Sequence, residues 1–201
     1  MPEQLLAGLK RFRRDSFPRF KEHYERLVQE GQKPSTLFVG CSDSRLIPEL
    51  LTDSPPGELF IVRNMGNLIP PFEPDFGYHG TSAGIEFAVL SLNVKDIVVC
   101  GHSHCGAIQA LYEPPQQETP HVTKWLELAR EARLPEPLSE DVLRRSEARS
   151  IVLQLERLMG YPMVRERVEA GSLCLHGWYY VIEEGSVRIL DVESGRFVPG
   201  P

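Results

Sequence analysis

With 201 residues, 41% of them hydrophobic and 25% charged, the chain has the material for one substantial core and is expected to fold as a single domain over residues 1–201. A net charge of −6 argues against bulk attraction to nucleic acid or anionic membrane and leaves a small neutral or anionic molecule as the expected partner. No apolar run approaches the roughly 18–20 residues that cross a bilayer, the amphipathic Leu/Arg start is not followed by a signal core, and cytoplasm is the expected location.

Leu5, Leu6, Leu9 and Phe12 recur at helical spacing, and Phe20, Tyr24 and Val28 do so again before Gly31, which predicts two helices forming an arm over residues 1–30. The apolar stripe of such an arm can lie on a partner subunit as readily as on its own core. A strand is predicted over 36–39, a short helix over 48–51 and a second strand over 58–63, followed by a loop rich in Gly, Pro and Asn to Gly80. Thr81 or Ser82 is expected to cap a helix running to about Leu92. A third strand over 96–100 leads into a helix from Cys105 to about Tyr112, and residues 113–120 form a proline-rich surface loop. Helices are predicted over 121–134, 139–159 and 163–170, with Gly160 and Gly171 where C-terminal caps belong. Strands over 173–182 and 186–192 flank the turn Glu183-Glu184-Gly185 as a hairpin. The alternation predicts an α/β fold, with a mainly parallel central sheet flanked by helices and an antiparallel edge.

The chemistry concentrates at two strand ends. Leu37-Phe38-Val39-Gly40 runs into Cys41-Ser42-Asp43-Ser44-Arg45, and Ile97-Val98-Val99-Cys100-Gly101 runs into His102-Ser103-His104-Cys105-Gly106. If these strands lie side by side, both clusters meet in the crevice at the carboxyl ends of a parallel sheet. The four cysteines, at 41, 100, 105 and 174, are not spaced as a disulfide framework, so reduced thiols or metal ligands are expected. Cys41, His102 and Cys105 form a set suited to zinc, and three protein ligands leave the fourth position of a catalytic site open. Asp43 can either reach the ion and close that position or pair with Arg45 and leave it free. Cys100 and Cys174 read as buried strand thiols, and His104 as a loop histidine next to the ligands that can relay a proton. His79, in the glycine-rich loop, is a weaker candidate for that relay.

The pattern Cys41-Ser42-Asp43-Ser44-Arg45 with His102-Ser103-His104-Cys105 resembles the β-class carbonic anhydrases. The likeness extends to Gly31-Gln32-Lys33-Pro34, to Leu59-Phe60-Ile61-Val62-Arg63-Asn64, to the helix after Gly80 and to His176-Gly177-Trp178-Tyr179-Tyr180. It implies one zinc per chain on Cys41, His102 and Cys105, and a dyad of Asp43 and Arg45 that admits or excludes water at the metal. It also implies a carbon dioxide pocket lined by Gln32, Phe60, Met65 and Gly106, and an N-terminal dimerisation arm that makes a homodimer or a dimer of dimers. Two positions depart from the pattern. Phe87 stands where several members carry tyrosine, and Phe38 stands where the bicarbonate-inhibited branch carries tryptophan, which puts a regulatory bicarbonate site in doubt.

The implied activity is reversible hydration of carbon dioxide to bicarbonate and a proton by hydroxide generated on zinc. Two other readings stay open at this level. One is a related zinc lyase or hydrolase on the same scaffold, for instance acting on carbon disulfide. The other is a non-enzymic protein in which Asp43 permanently completes a structural zinc site. Catalysis by the Cys41 thiol with His102 lacks a base separate from the metal set.

Overall fold

A computed structural model describes residues 2–75 and 77–201. The chain divides into two compact units, one ending at Lys33 and the other spanning Pro34–Pro201. Among the described residues no helix is long and apolar enough to cross a membrane.

The first unit is helical. Helix α1 (Glu3–Arg11) passes through a five-residue π-turn, Phe12–Ser16, into α2 (Phe17–Glu30). The two predicted helices run on without a break through this widened turn, which falls just before Pro18, the residue whose missing N–H interrupts a regular helical ladder. Gly31, at a φ of 77°, ends the path. Phe17 stacks on Tyr24 at 5.8 Å and meets Phe12 at 6.0 Å. No residue of either helix is buried within the unit, and Leu5, Leu9, Phe12 and Val28 stay exposed.

The second unit is built on six strands: β1 (Thr36–Cys41), β2 (Leu59–Asn64), β3 (Asp96–His102), β4 (Cys174–Val181), β5 (Ser186–Asp191) and β6 (Arg196–Pro199). They lie in the order β2-β1-β3-β4-β5-β6. The first four are mutually parallel, and β5 and β6 extend the sheet antiparallel. The expected antiparallel edge is therefore two strands. The second was not predicted because Arg196-Phe197-Val198-Pro199 is too short to carry a period. It forms because the Asp191 carboxylate and carbonyl hold the turn that reverses the chain at Gly195.

Buried parallel strands must be apolar on both faces, and alternate residues of β1 and β3 enter two cores. Leu37, Val39, Ile97 and Val99 join Ile85, Ile151, Leu158 and Tyr161 in one core, whereas Phe38, Val98 and Cys100 join Leu46, Ile108 and Leu126 in the other. Helices α3 (Pro48–Thr52), α4 (Gly80–Glu86), α5 (Gly106–Gln109), α6 (Pro120–Leu126), α7 (Glu140–Leu158) and α8 (Pro162–Glu169) supply the cover. Several are shorter than expected. After four residues α5 gives way to turns, α6 tightens into a 3₁₀ segment over Glu127–Ala132, and α4 relaxes into a π-turn over Phe87–Ser91. His79, and not Thr81 or Ser82, occupies the N-cap of α4. The two hydroxyls are engaged sideways, Thr81 by the Asn64 amide and Ser82 by the Tyr161 hydroxyl. Ser139 does cap α7, accepting from the Val142 N–H at 3.2 Å.

Helix α7 packs on β3 and β4. It seats closely because glycine faces it on both strands. A Cβ at Gly101 would stand 2.7 Å from Ile151 Cγ1, and one at Gly177 would stand 3.0 Å from Leu155 Cδ1. Gly101→Ala is expected to cost about 1–3 kcal/mol by overpacking, and Ile151→Ala about 2–5 kcal/mol by leaving a cavity. Combined, the two changes should cost less than their sum, because the new methyl enters the space that Ile151 vacates. Denaturant unfolding of the four proteins measures that coupling, and strict additivity would refute the contact.

Candidate metal centre

Parallel pairing sets Cys41, the last residue of β1, beside Asn64 at the end of β2 and one step beyond the Gly40–Cys100 pair of β1 and β3. His102 ends β3. The chain then turns through Ser103 and His104 and delivers Cys105 at the N-cap of α5. His104 makes this turn in the left-handed region, at a φ of 57°. The donor atoms of Cys41, His102 and Cys105 lie within 4.8 Å of one another. All three residues are buried, at 5%, 0% and 2% exposure.

The donor set fits a soft or borderline divalent cation. His102 Nδ1 is 2.8 Å from the Ser103 carbonyl, which fixes the tautomer and leaves Nε2 buried with no hydrogen-bond partner. A buried ring nitrogen without a partner is costly, and coordination would satisfy it. The Cys41 thiol is pulled down to about 4 by the Cys105 sulfur beside it, against burial, with help from His102 and the Asp43 and Gly66 amides. The Gly66 N–H donates to Cys41 Sγ at 3.3 Å. The Cys105 thiol is pushed up, first by Cys41 and then by burial. One negative charge thus sits easily on the pair, and a cation between the sulfurs offsets the repulsion of a second.

Asp43 stands at the mouth of this group, its Oδ2 3.9 Å from His102 Nε2. Arg45 grips its carboxylate with two side-chain bonds, Nε to Oδ1 at 2.9 Å and Nη2 to Oδ2 at 2.7 Å, and adds its own N–H to Oδ1 at 2.9 Å. The guanidinium beside it holds the Asp43 carboxyl well below the usual carboxylate range. Arg45 also donates to the His104 carbonyl at 3.0 Å, which ties the two strand-end loops together.

The remaining predicted residues divide. Met65 follows β2 directly and packs in the core that holds Cys41 and Cys105. Gly106 opens α5 beside Cys105, and a Cβ there would meet nothing within 4 Å. Phe60 pairs with Leu37 at the start of β2, four positions before the Asn64 that faces Cys41, and rests on Phe87 at 5.6 Å. Gln32 belongs to the helical unit. Phe38 is buried edge-on against Trp178 at 6.2 Å. His104 points at Arg144, Nε2 to Nη2 at 2.9 Å, and lies 3.4 Å from Glu183. His79 is engaged by Asp75 at 2.6 Å. Cys100 is the buried thiol expected, and burial pushes it up. Cys174 corrects that expectation: it is exposed, because it is the first residue of β4 and the adjacent Leu173 enters the core in its place.

Several residues that hold the site were not anticipated. Arg63 donates to the carbonyls of Cys41 at 3.0 Å and Asp43 at 2.7 Å; it lies in a stretch that carries the resemblance, but no role was expected of it. Glu183 accepts from Ser103 Oγ at 2.8 Å, although it reads as a turn residue. Glu147 accepts from the Cys105 N–H at 2.7 Å and from the Tyr179 hydroxyl at 2.7 Å, and in sequence it looks like one charge among many on a surface helix.

Comparison with known proteins places this geometry. Residues 36–187 match the family model described as carbonic anhydrase. A carbonic anhydrase of Pseudomonas aeruginosa is 42% identical over 203 residues, covering 96% of this chain and 90% of its own length. Among solved structures, the β-carbonic anhydrase CcaA superposes with a TM-score of 0.92 at 39% identity, covering 99% of this chain and 92% of that one. A tetrameric β-carbonic anhydrase of the ascomycete Sordaria macrospora matches at a TM-score of 0.73 and 27% identity, covering 94% of this chain and 92% of its own. The relatives are matched over nearly their whole lengths, and the chain belongs to the β-class carbonic anhydrase family.

Proposed function

We propose that this enzyme carries out the zinc-dependent, reversible hydration of carbon dioxide, with one zinc per chain held by Cys41, His102 and Cys105. The observation that carries the reading is the convergence of three buried donors next to a carboxylate that Arg45 has already engaged. Zinc held by these residues would supply a Lewis acid able to make water nucleophilic near neutral pH, the chemistry carbon dioxide hydration requires. Asp43 stays ionised through the working range because Arg45 is beside it, so it can accept a hydrogen bond from water at the site and orient that water toward the substrate. Arg45 keeps the carboxylate turned from the donor group. A permanent structural role for Asp43 as a fourth ligand is disfavoured by that two-pronged grip.

Met65 and Gly106 border the donors, and we assign them, with Phe60, to the substrate pocket. At roughly 3.3 Å per strand residue, Phe60 is about 13 Å along β2 from the Asn64 that faces Cys41. We therefore assign Phe60 to the site of a second copy of the chain rather than to the donors of its own. This supports a homodimer or a dimer of dimers, in keeping with the tetrameric Sordaria relative and with the exposed apolar side chains of the helical arm. Thiols free of disulfides suit a reducing cytoplasm.

Cys105→Ser is expected to lose zinc, and elemental analysis finding one tightly held zinc per chain in that variant would refute the ligand set. Arg45→Ala should leave zinc in place while carbon dioxide hydration in stopped flow falls at least about a hundredfold, as for loss of a group that orients the reacting water. Two thiolates neutralise the charge of the ion and weaken it as a Lewis acid relative to one held by three imidazoles. Hydration should accordingly climb between about pH 7 and pH 9, and a profile already flat at pH 6 would contradict this.

A further inference from the structure

We infer that Glu147 is a positioning residue of the metal centre, acting through the backbone of Cys105. This rests on the metal-site reading above. Glu147 is 2% exposed, and it is the only acidic residue among the buried polar residues described. A buried carboxylate is tolerated only when its oxygens are engaged, and both are: Oε1 by the Cys105 N–H and Oε2 by the Tyr179 hydroxyl, each at 2.7 Å. Arg144, one turn earlier on α7, brings a guanidinium nitrogen to 3.9 Å of Oε2.

The Cys105 N–H needs such a partner. Cys105 is the N-cap of a four-residue helix, so no intrahelical carbonyl precedes it, and the residue before it is held at a positive φ. A buried donor in a strained turn has two outcomes: an acceptor from elsewhere in the fold holds it, or the turn relaxes. Helix α7 supplies the acceptor. Because α7 is seated on Gly101 and Gly177, and Tyr179 stands opposite Gly101 in the sheet, the carboxylate that fixes Cys105 is itself fixed from two sides. Release of the Cys105 backbone would swing its Cβ, and with it the sulfur, away from the Cys41 and His102 donors. The other residues of the turn have their own anchors, Ser103 through Glu183 and His104 through Arg144, so Cys105 is the ligand that depends on Glu147.

The test is zinc release from the purified holoenzyme into excess chelator, with circular dichroism and melting of the metal-free forms as the measure of fold. Glu147→Gln keeps an acceptor for the Cys105 N–H and should release zinc within about twofold of the parent rate. Glu147→Leu fills the volume without an acceptor and should release it about 10–100-fold faster, the range seen when an outer partner of a metal ligand is lost. Should the leucine variant fail to fold, Tyr179→Phe, which frees one carboxylate oxygen and keeps the ring, should accelerate release severalfold in the same direction. Parent-like release from both the leucine and phenylalanine variants would overturn the inference, as would a glutamine variant as leaky as the leucine one. A parent enzyme that holds no zinc would instead bring down the metal-site reading itself, and this assignment with it.

Discussion

The parallel pairing of β1 with β3 is the constraint on which everything else in this protein depends. Two strands separated by about sixty residues in sequence stop within one register step of each other, and each breaks at that point into polar side chains. Neither end holds a complete set of donors. Cys41 comes from one strand, His102 and Cys105 come from the other, and only hydrogen bonding between adjacent strands brings the sulfurs and the ring nitrogen within 4.8 Å. The apolar alternation that buries both faces of the sheet is what holds that register, because a slip of one residue would turn Leu37 and Val39 into the wrong core.

Around this junction the fold spends its charged residues on backbone. Arg63 binds the carbonyls of Cys41 and Asp43, Arg45 reaches the His104 carbonyl, and Glu147 takes the Cys105 N–H. Loops that leave a sheet edge have amides and carbonyls without ladder partners, and those groups must be satisfied wherever water is excluded. Satisfying them with side chains from β2, α7 and the opposite loop makes the site rigid without enlarging the donor set. The same wiring leaves Asp43 as the carboxylate placed at the mouth of the donors. Its two oxygens are committed to Arg45, so the guanidinium holds a carboxylate that stands beside the donors.

The two units of the chain have different requirements. The unit after Pro34 buries its own core, with Leu37, Ile97, Ile151 and Tyr161 fully enclosed. The helical unit before it buries nothing in its helices and carries Leu5, Leu9 and Phe12 on the outside.

Much of this was legible in the sequence, for definite physical reasons. The apolar runs before Cys41 and His102 announced buried parallel strands, although each strand runs past its glycine, to Cys41 and to His102, and the residue types at 41, 102 and 105 announced a group that could hold a metal, because each of these signals is local. Helix lengths were overread where tertiary packing replaced propensity, as at the four-residue α5, and β6 was missed because a four-residue strand has no periodicity to detect. What only the tertiary structure decided is which charges matter. Glu147 and Arg63 resemble ordinary surface charges until the fold turns one toward a buried amide and the other across two carbonyls. Whether Asp43 faces the donors or Arg45 is likewise a matter of a few ångströms in three dimensions. A sequence states which groups are available, but the energy of a buried hydrogen bond or ion pair depends on distance and on the exclusion of water, and both are properties of the folded chain alone.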